Sequence, residues 1–223
     1  MNIGLIAATP NELQATLDFL SKEGKPKGLL QFEYKQHSLS PMIFGVGILH
    51  CAFALARWQE IKQLDLVIHA GISGSYTMDN PLGSVCEVNT EILEDFGAEE
   101  QAGTTSSVFD LKLIDRNQKP FTNGVLINKK SNFFNQLPQK KGLTVLRATG
   151  SKQTIERIYR SRPEEIESME GAAVFYSCLM MDVPFVSIRA ISNYIEPRNK
   201  AHWKIELAIQ NLNDFIIQTI KEI

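Results

Sequence analysis

Apolar and polar positions along the chain fall into blocks whose period switches between two and about 3.6 residues. Ile3 to Ala8 is an apolar run broken by Thr9-Pro10 and reads as a buried strand. Thr9 or Asn11 is placed to cap a following helix, with Glu12 in its first turn. Leu29 to Leu39 alternates, as an exposed strand does. Met42 to Gly47, Leu64 to Ala70, Gly83 to Glu91, Gly124 to Ile127 and Leu143 to Ala148 read as further strands, and the Ala-rich Ile48 to Ile61 as a helix. Gly71 to Ser75 is expected to form a tight polar turn and Gly97 to Ser107 a mobile loop. Ser151 can cap a short helix from Gln153. Trp203 to Ile220 is predicted to be an amphipathic helix with Leu207, Ile209, Leu212, Phe215, Ile216 and Ile220 on its inner face.

The stretch from Glu167 to Tyr194 organises the rest. Ser168-Met169-Glu170 opens GAAVFYSCLMM, nearly uncharged with small residues first, which predicts a helix buried on most of its surface. After the turn signal Asp182, Val183 to Ile191 predicts a buried strand. Polar groups sit at the outer ends: Glu170 at the helix start, and Arg189, Ser192 and Asn193 where the strand runs out. Glu170 has two readings, a helix-start charge favoured by the dipole or a ligand group. Strands and helices alternate throughout, which predicts an α/β fold. Its expected form is a three-layer αβα sandwich around a central mixed, largely parallel sheet, in one domain over 1–223.

Composition narrows the function classes. At 43% hydrophobic and 22% charged residues, a full core is expected and disorder is not. The net charge of −2 marks no basic face, so nucleic acid is not an expected partner. Lys129-Lys130 and Lys140-Lys141 read as solvated surface charge. Cys51, Cys86 and Cys178 are odd in number, widely spaced and in apolar contexts, as reduced core thiols of a cytoplasmic protein would be. The N-terminus has no basic n-region and reads as a first strand, and no segment approaches the length of a membrane span.

Gly45-Val46-Gly47 lacks the third glycine of a dinucleotide fingerprint, and its acidic partner is ill-defined, Glu60 or Asp65. Gly71 to Gly74 lacks the Lys of a phosphate loop but offers N–H groups and the Ser73 hydroxyl. None of the four His residues has a ligand-spaced partner, so neither metal nor cofactor is expected. What remains is Glu12, Ser73, Ser151, Glu170, Arg189 and Asn193. Two carboxylates with a hydroxyl, an Arg and an amide suit hydrolysis at a sugar: one carboxylate activates water and the other holds hydroxyls. A silent nucleoside-binding module and a dinucleotide-dependent oxidoreductase are the other classes weighed.

In order and spacing the chain resembles the purine nucleosidase and nucleoside phosphorylase superfamily, specifically its methylthioadenosine/S-adenosylhomocysteine nucleosidase branch. The matching segments are Asn2 to Ala8 with Glu12, Gly45-Val46-Gly47, His69 to Gly74, Ser168 to Ala173, and Val183-Pro184-Phe185 with Arg189 to Asn193. The resemblance implies a nucleoside phosphorylase-like fold in which Glu12 readies the attacking water beside Arg189 and Ser73. It further implies that Met169 packs under the ribose, that Glu170 binds the 2′- and 3′-hydroxyls, and that the backbone near Lys152 meets the purine. Trp203 falls where the family places an aromatic against the 5′ substituent; its alternative is a core position of the last helix. Such relatives are homodimers or larger, and Phe96 or the Gly97 to Ser107 loop are the candidates for reaching a neighbour's 5′ pocket.

Two departures matter. Phosphorylases of this kind carry an early Arg for phosphate, and this chain has none before Arg57, which favours hydrolysis. Adenine-specific relatives have an Asp where Asn193 stands. An amide donates to O6 and accepts from N7–H, so it fits a 6-oxopurine. The segment Ile191 to Asn199, ahead of Trp203, is similar to the futalosine hydrolases of the alternative menaquinone pathway. The expectation is therefore release of hypoxanthine from futalosine, with Trp203 against its carboxyphenyl ring and Arg198, Lys200 or His202 at its carboxylate, unless Arg198 ties its loop to Glu196.

Overall fold

The computed structural model describes residues 1–28, 30–58, 61–101, 104–130, 136–161 and 166–223. Leu29 at the expected start of the exposed strand, Gln59 and Glu60 in the expected second helix, and Ala102 and Gly103 in the expected loop lie outside the described residues.

Strand β1 (Asn2–Ala7) runs parallel to β4 (His37–Ile43) on one side and β5 (Leu66–Ser75) on the other. Beyond β4 the sheet ends in an antiparallel edge, β3 (Gln31–Tyr34) and β2 (Lys25–Gly28). On its far side β5 is parallel to β13 (Phe185–Tyr194) and antiparallel to β12 (Ile166–Ser168). From β12 the order continues through β11 (Gln139–Thr144) and β6 (Val85–Leu93) to β10 (Val125–Ile127) and β9 (Phe121–Thr122). Because β13 also pairs with β6, the strands β5, β12, β11, β6 and β13 close on one another. A separate hairpin joins β7 (Gly97–Glu99) to β8 (Thr105–Ser107).

Side-chain alternation sorts the two faces. Leu66, Ile68 and Ala70 of β5, with Val186, Ile188 and Ala190 of β13, pack against Ala208, Leu212, Ile216 and Ile220 of α5 (Ile205–Glu222) and Leu20 of α1 (Gln14–Glu23). The alternate residues Val67 and Phe185 face Cys51 and Leu55 of α2 (Ile48–Arg57) and Phe175 and Cys178 of α4 (Gly171–Met181). The Phe175 and Phe185 rings meet edge-on at 4.8 Å. This is the expected sandwich, with one difference: the sheet curls into partial closure instead of staying open. All three cysteines are free and buried, and no described helix is long and apolar enough to cross a membrane.

Several boundaries differ for identifiable reasons. The expected Leu29 to Leu39 strand is two strands reversing at Lys35, which takes φ 53 without a glycine to announce it. Gly71 to Ser75 is no turn but the carboxyl half of β5. Its glycines serve close approach: a Cβ on Gly71 would fall 1.8 Å from Arg189 Nη1, and one on Gly74 would fall 2.3 Å from Ile195 Cδ1. β13 runs through Asn193 to Tyr194, so Arg189 and Asn193 lie inside the strand and not beyond its end. In the 97–107 loop a hairpin forms. α5 begins at Ile205, leaving Trp203 outside it, and Leu207 is 43% exposed, whereas Asn213 takes an inner position.

Candidate active site

Glu12 ends a short 3-10 turn, Pro10–Glu12, that follows β1. Proline at the first helical position sets the turn, and the Glu12 side chain folds back on the residue that precedes it. Its Oε2 accepts from the Thr9 amide and the Thr9 hydroxyl, each at 2.9 Å, and Oε1 accepts from the Ile72 amide at 3.2 Å. The buried Asn213 amide donates to the Glu12 carbonyl at 3.1 Å while accepting from the Thr16 amide and hydroxyl. Both ends of the residue are thus fixed, and Glu12 as a whole is 6% exposed.

Arg189 reaches the same place from β13. It lies opposite Gly71 in the parallel register and is 1% exposed. The position of a Gly71 Cβ, 1.8 Å from Arg189 Nη1 and 3.2 Å from Glu12 Oε1, limits those two atoms to about 5 Å apart, the sum of the two distances. No ion pair within 4.0 Å joins them. A gap of that size admits one bridging water between the carboxylate and the guanidinium. A side chain at Gly71 would destroy it. Gly71→Ala is expected to displace Arg189, lower the melting temperature through overpacking of about 1–3 kcal/mol, and abolish turnover; circular dichroism melts and an activity assay check both.

Glu170 stands at the N-cap position of α4, where its side chain turns away from that helix and makes no cap bond to it. Oε1 accepts from the Gly47 amide at 2.9 Å, which needs the φ of 92 that Gly47 adopts. The small residues after Glu170 have a cause: a Cβ on Gly171 would sit 1.9 Å from Glu91 Oε1. Glu91 accepts from the Thr144 hydroxyl, which in turn accepts from the Ala172 amide, both at 2.7 Å. Burial pushes the Glu170 carboxyl above its ordinary value; the Arg189 charge and the Gly47 amide oppose this, and the Glu12 charge adds to it. The Arg189 and Glu12 charges thus both act on the Glu170 carboxyl, in opposite directions. The raised value has a consequence for binding. On the role the resemblance implies for Glu170, sugar hydroxyls donate to its ionised form, so kcat/KM is expected to fall as pH drops through the raised Glu170 pKa, and Glu170→Gln is expected to remove that limb while weakening binding throughout. For stability the sign is also fixed: a carboxyl raised by folding favours the native state at acid pH, and this contribution is lost as pH rises through the folded value.

Asn193 and Ser73 complete the wall. The register of β13 against β5 slips at Ser192, so that Ile191 pairs with Ser73 and Asn193 with Gly74. The bulge sets Asn193 beside a residue with no side chain, its Nδ2 lying 3.1 Å from where a Gly74 Cβ would be. Asn193 Oδ1 accepts from the Ser192 hydroxyl at 2.8 Å and Nδ2 donates to the Tyr194 carbonyl at 3.1 Å. One N–H and one lone pair remain for a ligand. Ser73 is 3% exposed and its hydroxyl has no partner among the described residues. Met169 and Ile195 both pack against the buried cluster of Tyr76, Leu143, Val145 and Ile158.

The remaining candidates form an outer group. Arg198 lies with its guanidinium carbon 5.2 Å from the centre of the Trp203 ring, and its amide donates to the Gly150 carbonyl at 3.4 Å. It does not hold Glu196, which pairs with His202 at 2.5 Å. Trp203 is half-buried and follows a 3-10 turn, Lys200–His202. Lys152 is exposed at the start of α3 (Lys152–Ser161), where the Ser151 hydroxyl caps the Thr154 amide at 3.2 Å as the sequence predicts. The turn before it is held by Glu167, which accepts from the Thr149 amide at 2.8 Å and the Tyr76 hydroxyl at 2.5 Å. Thr149, Gly150, Ser151 and Arg198 border a cavity of about 1090 Å³ that Phe96 also lines, and that none of Glu12, Ser73, Glu170, Arg189 or Asn193 touches.

Thr9, which the sequence offers as a helix cap, is also the residue that holds the Glu12 carboxylate, and the sequence reading missed Asn213, Glu167 and His69. His69 and Asn213 carry a usable signal, a polar residue inside an otherwise apolar strand or helix face. Glu167 carries none, since its partners Thr149 and Tyr76 come from two separate segments.

This fold with this wall of acid, guanidinium and amide defines a class of nucleoside-cleaving proteins, and the comparisons agree. Residues 2–221 match the model of the phosphorylase superfamily, and the chain belongs to that family. It is 27% identical over 221 residues to a futalosine hydrolase of Thermus thermophilus, covering 92% of this chain and 89% of that one. It is also 24% identical over 243 residues to a 5′-methylthioadenosine/S-adenosylhomocysteine nucleosidase of Maridesulfovibrio salexigens, covering both chains completely. The native structure of futalosine hydrolase from Helicobacter pylori superposes with a TM-score of 0.79 at 16% identity, covering 100% of this chain and 98% of that one.

Proposed function

We propose that this protein hydrolyses the N-glycosidic bond of futalosine and releases hypoxanthine. The observation that carries the base choice is Asn193, a nearly buried amide beside Gly74 with one donor and one acceptor still open. Its N–H meets O6 of a 6-oxopurine leaving as its anion, and its oxygen accepts from N7–H once solvent has protonated that nitrogen. Glu12 orients a water against the anomeric carbon in the gap beside Arg189 and takes its proton as the C–O bond forms. The electron pair of the breaking C–N bond passes to the purine, whose charge Asn193 stabilises. Glu170 holds the ribose hydroxyls over Met169, and the Arg198–Trp203 pair meets the carboxyphenyl end of the substrate.

Kinship with both futalosine hydrolases and adenine-releasing nucleosidases leaves the base to be decided by the residue at position 193. The deciding experiment is chromatography of free base after incubation with futalosine, methylthioadenosine and inosine, each with and without phosphate. Phosphate-independent hypoxanthine from futalosine is expected. Preferential adenine release from methylthioadenosine would refute the assignment.

A further inference from the structure

We infer that His69 is a positioning residue for the reaction: a neutral imidazole plate, fixed by Ser187, on which the Arg189 guanidinium rests. This inference rests on the nucleosidase reading, in which Arg189 flanks the attacking water.

The placement follows from strand alternation. His69, Gly71 and Ser73 share one face of β5, and Ser187 and Arg189 share the matching face of β13, with Ser187 opposite His69 and Arg189 opposite Gly71. A polar column therefore runs from Ser187 through His69 and Arg189 to Glu12, in a layer otherwise filled by Val67, Phe44 and Phe185. His69 is 0% exposed. Its Nδ1 lies 3.1 Å from the Ser187 hydroxyl, and the Phe44 ring centre lies 5.9 Å from its own. Arg189 Nη2 lies 3.0 Å from Nε2 and 3.4 Å from Nδ1. A donor in the ring plane can approach only one ring nitrogen closely, because the two point in divergent directions. Proximity to both puts Nη2 against the face of the ring, the geometry of a cation on a π-system. Burial, with the Arg189 charge adding to it, holds the imidazole well below its ordinary pKa, so the plate is uncharged.

Arg189 needs such a support. Its Nε has no partner among the described residues, and it makes no direct ion pair with Glu12. Without a surface behind it, the guanidinium would swing toward one of the two carboxylates and close the water gap.

The test compares single and double variants by kcat and KM, with wild-type base release measured first. His69→Ala is expected to lower kcat about thirtyfold with KM changed less than about threefold, since misplacing a reacting group by about 1 Å costs up to about a hundredfold. His69→Phe, which keeps a flat neutral ring, is expected to retain most of kcat. Adding His69→Ala to Arg189→Ala is expected to cost nothing further, because both remove one interaction. Unchanged kcat in His69→Ala, or a full additive loss in the double variant, would overturn the inference. If the wild type releases no base, or His69→Ala does not fold, nuclear magnetic resonance of arginine-labelled wild-type protein still decides. Upfield-shifted, slowly exchanging Nη protons are expected, and signals like those of free arginine would overturn the stacked geometry. Absence of base release by the wild type counts against the nucleosidase reading alone.

Discussion

Glu12→Gln is expected to lower kcat about a thousandfold, the loss typical of removing a positioned general base, while substrate binding persists. The structure makes this a clean substitution in shape and a severe one in chemistry. Oε2 is occupied by two donors from Thr9 and Oε1 by the Ile72 amide. An amide in the same place retains an acceptor for Thr9 but turns an N–H toward Ile72 and cannot take a proton from water. In the proposed reaction Glu170 still holds the ribose, so binding measured by calorimetry should change little. A variant retaining more than about a tenth of kcat would show that another group removes the proton.

The second large effect is expected from Asn193→Asp. The amide now donates to the Tyr194 carbonyl, and an ionised carboxylate would face that carbonyl with an acceptor. It would face O6 of a 6-oxopurine in the same way. Two mispaired groups at about 1–3 kcal/mol each predict a loss of at least about thirtyfold in kcat/KM for the hypoxanthine nucleoside. The Asp can instead accept from an exocyclic amine and carry a proton to N7, so relative turnover of methylthioadenosine should rise. Ser192 can still donate to the new carboxylate, as it does to Oδ1, which keeps the side chain in place. Equal kcat/KM for futalosine in wild type and variant would remove position 193 from base selection.

Much of this architecture is readable in the residues alone. The apolar run before Thr9-Pro10 places a strand and then Glu12 at a turn. The uncharged GAAVFYSCLMM stretch places a buried helix directly after Glu170. Other features are not legible because they depend on partners far away in the chain. Gly71 and Gly74 look like turn residues, and only the approach of Arg189 from β13 and of Ile195 just past its end shows that they are strand residues kept bare. The reversal at Lys35 is silent for the opposite reason, since a non-glycine takes the left-handed conformation there.

Local chemistry and hydrophobic period determined which elements form and which side chains carry reactive groups, because both depend on residues within a few positions of each other. The tertiary structure decided how those groups meet. Alternation fixes which residues share a strand face, but not the register of β13 against β5. That register, with its slip at Ser192, sets Arg189 over Gly71 and Asn193 beside Gly74. Ser187, His69 and Arg189 become neighbours only when two strands more than a hundred residues apart in sequence are packed edge to edge, with the cost of burying a guanidinium settled by everything around it.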